Sequence, residues 1–222
     1  MRIDTWRRFG TNPQTFAAWA LDQLEPAAGC RLLDAGCGYG NVYHRLLSER
    51  GVRPVGLDLS AGMLREAAAA CFPVRGDLTA LPFRDQSFDR VMCNHALYHL
   101  ADRHAAMSEL KRVTRSGGRL ILSTNSEHHL PELHEIAEAP RRRAPFRLED
   151  IDEVRTVFPN VEVREFLNVL VFEEAKPVVD YAATSISDAP VLDMIGQRAQ
   201  AIIDRDGAFR TSAKAGCFVV EI

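Results

Sequence analysis

A run of alternating glycines framed by aspartates is the stretch of this chain best suited to chemistry. The apolar run Leu32-Leu33 ends in a carboxylate at Asp34, and Gly36, Gly38 and Gly40 follow at every second position. Glycine at alternate positions lets the backbone turn sharply and lets a ligand approach without a Cβ in the way. Helix-forming sequence begins at about Val42 and runs to Arg50. The order is therefore strand, tight turn, helix, the place where open α/β sheets bind nucleotide-like ligands. The pattern D-x-G-x-G-x-G differs from the dinucleotide fingerprint G-x-G-x-x-G, because its third glycine comes one residue early. A carboxylate at position 34 opposes a pyrophosphate and suits a ligand that carries an ammonium or sulfonium group.

Two further aspartates stand at strand ends. Asp58 closes the next apolar stretch, eighteen positions after Gly40. An acid there can accept both ribose hydroxyls, or it can simply cap the following helix. Its neighbours Leu59 and Met63 would line an adenine. Gly76-Asp77-Leu78 follows the third strand, and Asn94-His95-Ala96-Leu97-Tyr98-His99-Leu100 follows the fourth. At these residues the chain resembles the class I S-adenosylmethionine-dependent methyltransferases, in particular the small-molecule type with G-C-G-x-G at Gly36-Cys37-Gly38. Leu81-Pro82-Phe83 and Ser87-Phe88-Asp89 match the family in the same register. The resemblance covers roughly Pro13 to Asn125 and is generic beyond it.

The resemblance implies S-adenosyl-L-methionine as cofactor, S-adenosyl-L-homocysteine as product and a small organic methyl acceptor. It implies cofactor contacts at Asp34, Gly36, Cys37, Gly38, Asp58, Leu59, Met63, Gly76, Asp77, Leu78 and Asn94. Asp77 would accept the adenine amino group, with the next backbone N–H meeting the ring. The backbone after Asn94 would meet the methionine part. His95, Tyr98 and His99 are the catalytic candidates, with His95 the better base and His99 open to a structural role. Cys37, in the glycine turn, reads as a small packing residue rather than a nucleophile. Two rivals stay in view: an NAD-dependent dehydrogenase, and a degenerate member that binds cofactor but serves as a partner subunit.

Alternating strands and amphipathic helices must position these groups. Strands are expected at Arg31–Ala35, Pro54–Leu59, Pro73–Arg75, Asp89–Asn94 and Arg119–Thr124. Helices are expected from Pro13 to Leu24, from Ser60 as N-cap to Ala70, and over Arg103–Thr114, ended by Ser116-Gly117-Gly118. Strand–helix alternation implies a parallel sheet with helices on both faces. Further helices are expected at His128–Ala139, Leu148–Phe158, Pro177–Thr184 and Val191–Asp204, with an extended stretch at Val161–Phe172. Cys217–Ile222 would be a last strand, antiparallel beside the fifth as in the family. The fold class is α/β: a Rossmann-like seven-stranded methyltransferase sheet, mostly parallel, with one antiparallel strand near the C-terminus. The chain reads as a single domain, with an N-terminal helix or flap (1–28), a cofactor-binding core (29–125), a substrate cap with late sheet elements (126–206) and the last strand (207–222). Trp6 and Phe9 either pack on the core or form a flap. His44 reads as a surface residue. At most one of His128 and His129 would face a pocket. Arg141–Arg143 is either a solvated loop or a site for an anionic substrate. The acceptor pocket is expected between the 94–99 loop, the 125–146 insertion and the stretch from Phe166 to Tyr181.

Composition narrows the class. The 222 residues are 46% apolar and 26% charged with a net charge of −3, which suits a substantial core and gives no drive toward nucleic acid. No apolar run is long enough for a membrane span and the first residues lack a leader's apolar stretch, so a cytoplasmic protein is expected. Cys30, Cys37, Cys71, Cys93 and Cys217 are odd in number and widely spaced, which argues against a disulfide framework. No His, Cys, Asp or Glu cluster has ligand spacing, so no metal is expected. Neither oligomeric state nor the atom methylated can be read. Methyl transfer is accordingly expected to run at the same rate with and without EDTA. Recovery of a chelated enzyme on adding one divalent ion would contradict this.

Overall fold

The computed structural model describes residues 2–138 and 145–222. In chain order its elements are α1 (Arg2–Phe9), α2 (Phe16–Leu24), β1 (Leu32–Ala35), α3 (Asn41–Glu49), β2 (Val55–Asp58), α4 (Ala61–Ala67), β3 (Phe72–Arg75), β4 (Phe88–Asn94), a short 3-10 turn (Leu97–His99), α5 (Arg103–Val113) and β5 (Thr114–Asn125). Then come α6 (Pro131–Ile136), α7 (Ile151–Arg155), β6 (Glu162–Phe172), α8 (Ala175–Ala182), α9 (Ala189–Asp206) and β7 (Phe209–Glu221). One seven-stranded sheet has the order β3-β2-β1-β4-β5-β7-β6. β1 pairs parallel with β2 and β4, β2 with β3, and β4 with β5. β7 runs antiparallel to β5, from Arg119 opposite Glu221 to Asn125 opposite Ala215. The parallel part is the sheet expected from the strand–helix alternation, and the antiparallel last strand is the one the resemblance implied.

Contacts divide the described residues into two compact units. One comprises residues 16–127, 144–165 and 215–222; the other lies within 1–15, 128–143 and 166–214. In the larger unit successive side chains of the central strands point to opposite faces. Leu33, Val91, Cys93, Leu120, Leu122, Phe218 and Val220 join one core, with Ala106, Met107, Leu110 and Val113 of α5. Their neighbours Leu32, Met92, Ile121, Cys217 and Val219 join the other, with Ala20, Leu21 and Leu24 of α2 and Leu47 of α3. Burial on both faces is the reason these strands read as near-continuous apolar runs.

The smaller unit has its own core. Leu133, Ile136, Leu170, Phe172, Tyr181, Ile195, Ala199 and Phe209 pack together. Trp6 meets Tyr181 edge-on with ring centroids 5.9 Å apart, and Phe9 lies 4.7 Å from Phe172. Of the two readings of Trp6 and Phe9, packing on a core is the one realised, and it is this unit's core. Arg141–Arg143 lie outside the described residues.

Several boundaries differ from expectation for identifiable reasons. Arg2–Phe9 is helical, although its aromatics are too few for a clear period. α2 starts at Phe16 rather than Pro13. Asn12 instead accepts from the Gln14 N–H (2.9 Å), and its own N–H donates to Asn168 Oδ1 (2.9 Å), which holds residues 12–14 out of the helix. α5 ends before Ser116-Gly117-Gly118 as expected, but the fifth strand starts earlier than Arg119 and takes this segment in. β5 begins at Thr114 with an irregular register near Phe88, and Gly117 N donates to Ile222 O while Ile222 N donates to Gly118 O. β7 starts eight residues before Cys217. Its inward residues there, Thr211, Ala213 and Ala215, are too small or polar to read as a core stripe.

Asn168 ties the N-terminal segment to β6. Its Oδ1 accepts from Asn12 N and from Val169 N, each at 2.9 Å, while Gly10 bridges Leu170 and Thr11 N donates to Val169 O. A Cβ on Gly10 would lie 2.6 Å from Asn168 Nδ2, so this approach requires glycine. Asn168→Ala is expected to cost about 1–3 kcal/mol, the range for buried donors left without an acceptor. Urea unfolding measures the loss, and faster hydrogen exchange at Thr11 and Asn12 localises it. An unchanged midpoint and unchanged exchange would contradict the assignment.

Candidate functional site

The glycine turn is built from the end of β1 outward. Gly36, Gly38 and Gly40 have φ of +79°, +56° and +70°. L side chains rarely adopt such values, so three glycines are required within five positions. A Cβ on Gly36 would also lie 2.7 Å from the Ala96 Cβ, whereas one on Gly38 would meet nothing within 4 Å. The first glycine is thus fixed by packing, and the second leaves the backbone open on its outer side. Gly36 N and Cys37 N both donate to Leu57 O, at 2.7 and 2.9 Å, which ties the turn to β2. Cys37 is half-buried, and burial with the nearby Asp34 charge pushes its thiol well above the ordinary range. It is a packing residue, not a thiolate nucleophile.

Asp58 closes β2 and holds the turn from the side. Its Oδ2 accepts from Gly38 N (2.9 Å) and its Oδ1 from Ser60 N (2.8 Å). Each oxygen keeps a second lone pair that can accept a hydroxyl. Ser60 in turn caps α4 by accepting from Met63 N (3.3 Å). Leu59 and Met63 are 65% and 40% exposed, two large apolar side chains beside a polar strand end. Gly76 N donates to Asp58 O (3.1 Å), which brings the 76–78 turn against the same edge. Asp77 is exposed. Its Oδ1 accepts from Thr79 N and Thr79 Oγ1, both at 2.8 Å, and these bonds hold its carboxyl below the usual range. Leu78 is buried toward Gly36. Glu109 and Arg112 of α5 secure the loop that follows. Glu109 accepts from Leu81 N (2.7 Å), and Arg112 donates to Phe83 O and Leu81 O.

β4 delivers Asn94 and His95. Ser123 Oγ lies 2.6 Å from Asn94 Oδ1, while Asn94 Nδ2 is buried without a hydrogen-bond partner. Turning the amide over would orphan the oxygen instead, so one end of Asn94 is left for a ligand or water. His95 has φ +52°, unusual for a residue with a side chain, and its N–H donates to Ser123 O (3.0 Å). Its ring lies 5.3 Å from Phe16 and 6.5 Å from Tyr98, and Tyr98 lies 4.5 Å from His99. His95 and Tyr98 therefore share one aromatic row with Phe16 and Trp19, whereas His99 is exposed at its far end. Phe16 carried no signal beyond its place on an apolar helix face.

Asp34 and His44 depart from expectation. Asp34 is buried, 3% exposed, and His44, expected at the surface, is 1% exposed with Nε2 2.9 Å from Asp34 Oδ2. A carboxylate in an apolar strand needs a partner, and that need was the signal that could have found His44. Burial raises the Asp34 carboxyl, and the bond from His44 opposes the shift. Phe166–Phe172 and Tyr181, expected around an acceptor pocket, belong to the smaller unit, as do His128 and His129. His129 donates from Nδ1 to Lys214 O (3.0 Å) and stacks near Trp6, and His128 is exposed. Among the described residues no group of three or more His, Cys, Asp or Glu could hold a metal ion. No helix there is long and apolar enough to cross a membrane.

A sheet of this order, with a glycine turn after β1 and an acid ending β2, defines the class I methyltransferase fold. A family model described as a methyltransferase domain matches residues 33–122 of this chain. The chain is 40% identical over 129 residues to a malonyl-[acyl-carrier protein] O-methyltransferase of Erwinia pyrifoliae, covering 56% of this chain and 48% of that protein. It is 33% identical over 153 residues to the Serratia marcescens protein of the same name, covering 60% of each. The chain thus spans about half the length of the curated relatives it matches. In fold it resembles the crystal structure of a putative methyltransferase from an antibiotic biosynthesis pathway of Anabaena variabilis. The TM-score is 0.72 at 16% identity, over 93% of this chain and 96% of that one.

If Asp58 takes a ribose, Asp58→Ala is expected to weaken binding of S-adenosylhomocysteine by about 1–3 kcal/mol, because the hydroxyls and the Gly38 N–H would lose their acceptor together. Calorimetry measures the change and circular dichroism checks the fold. Wild-type affinity in a folded variant would remove Asp58 from the ribose site.

Proposed function

We propose that this protein is an S-adenosylmethionine-dependent methyltransferase acting on a small organic acceptor. One observation carries the reading: Asp58 fixes the Gly38 and Ser60 amides with both oxygens while Leu59 and Met63 stand exposed beside it. A ribose with an adenine next to it fits that pairing of acceptor and apolar surface. Space outside Gly38 and the orphaned amide of Asn94 suit the rest of the cofactor. Asp77 and Leu78 would take the adenine edge, and Gly36 and Cys37 would face the methionine part. We read both units as parts of one methyltransferase domain. Five free cysteines are in keeping with a reducing cytoplasm.

Bound S-adenosylmethionine supplies a methyl group on a sulfonium whose departing thioether is neutral, so no strong acid is required. The protein's part is to hold the acceptor in line and exclude water, so proximity supplies most of the rate. His95 and Tyr98 would line the acceptor side, with His99, which is exposed, at the edge of that row. A base is needed only for a protonated nucleophile. The names of the curated relatives favour a narrower version in which the acceptor is the carboxylate of a carrier-bound malonyl group. A carboxylate is already ionised near neutral pH, and His95 would then orient it and abstract nothing.

Calorimetry with S-adenosylhomocysteine and NAD, followed by transfer of labelled methyl to a panel of acceptors by the purified protein alone, tests the reading. Binding of the first ligand and not the second is expected, with transfer to at least one small acid, amine or phenol. Tight NAD binding would restore the dehydrogenase reading. Cofactor binding with transfer only in the presence of a second protein would favour a partner subunit.

A further inference from the structure

We infer that His44 is a positioning residue for the cofactor turn, acting through Asp34 at one end of the turn and Gly40 at the other. This rests on the cofactor reading above. His44 Nε2 lies 2.9 Å from Asp34 Oδ2, and His44 N donates to Gly40 O at 2.9 Å. The ring also covers Gly40 closely: a Cβ there would lie 2.1 Å from Nδ1. While the bond to Gly40 O is a backbone bond of α3, the side chain thus bonds the residue that enters the turn and packs its ring against the residue that leaves it. Between them lie the backbone groups of Gly36, Cys37 and Gly38 that would face the ligand.

The protonation of the pair follows from its surroundings. Nδ1 is buried with no hydrogen-bond partner. A doubly protonated ring would leave an N–H there with no acceptor, a large cost in a site this dry. The neutral ring, with its proton on Nε2, leaves only a bare lone pair and donates to Asp34. That donation favours the charged carboxylate and fixes its orientation. The charged group acting on Asp34 besides His44 is Asp58, of the same sign. A carboxylate held in this orientation behind the turn would complement a ligand bearing ammonium and sulfonium groups. Without His44 the Asp34 carboxyl would be buried without a donor.

Three variants of the full chain test this by calorimetry with S-adenosylhomocysteine. His44→Leu removes the donor at similar volume and is expected to weaken binding by about tenfold or more. His44→Gln keeps an N–H donor and is expected to stay within about threefold of wild type. In an Asp34→Asn background, His44→Leu is expected to change affinity by less than about twofold, because the path through Asp34 is already cut. Nitrogen-15 spectra of the wild type should show a single Nε2–H tautomer at His44, a readout that a filler role would not produce. If His44→Leu does not fold, the glutamine variant and the tautomer carry the test. An imidazolium at neutral pH, loss of binding in His44→Gln equal to that in His44→Leu, or wild-type affinity in His44→Leu would each overturn the inference. Failure of the wild type to bind S-adenosylhomocysteine would instead remove the cofactor reading on which it rests.

Discussion

A carboxylate buried at the end of a strand is the constraint around which the larger unit is arranged. Asp34 sits in an apolar segment with its strand neighbours fully covered, where an unpaired carboxylate is costly. Its partner must come from within reach and must be buried too, and α3 supplies it in His44. That choice fixes how α3 leaves the turn, because the histidine ring occupies the space a side chain at position 40 would need. With both ends held, the glycines between them take left-handed backbone angles and turn their N–H groups toward β2. Asp58 then completes the frame from the neighbouring strand. Local geometry, burial and charge lead from one residue to the same small patch of backbone.

The parallel strands were legible along the chain because apolar runs closed by polar residues alternate with helix signals. Asp34, Asp58, Asp77 and Asn94 stand at or just beyond strand ends, and strand ends are where a parallel sheet collects its ligand-facing groups. Ser60 as the N-cap of α4 was equally local and is observed. What could not be read depends on contacts distant in sequence. His44 is polar on a helix and reads as solvated until the buried acid opposite it is known. The Gly117-Gly118 pair reads as a break, yet it is held in the sheet by Ile222 at the end of the chain. Early in β7 the inward positions Thr211, Ala213 and Ala215 are small or polar, and their burial follows from the tertiary packing. α1 is short, and its helical state is fixed by Trp6 and Phe9 packing on distant aromatics.

The same division separates cofactor from acceptor. The groups proposed for the cofactor are turn backbone, strand-end acids and two exposed apolar side chains, all within the segment matched by the methyltransferase-domain model. Acceptor choice has no comparable local code. His95 and Tyr98 lie in an aromatic row that includes Phe16, a residue from a helix nearly eighty positions earlier. The chain spans about half the length of the curated relatives it matches. A base matters for an alcohol or amine acceptor and is superfluous for a carboxylate. The role of His95 therefore depends on which of these the protein takes.

A crystal structure of the complex with S-adenosylhomocysteine measures most directly where the ligand sits. Both ribose hydroxyls are expected on the Asp58 carboxylate, the adenine between Leu59, Met63 and the 77–78 backbone, and the sulfur passing Gly36 toward Asn94 and His95. A ligand bound elsewhere, or one bound at the turn with Asp58 untouched and Asn94 Nδ2 still without a partner, would contradict this placement.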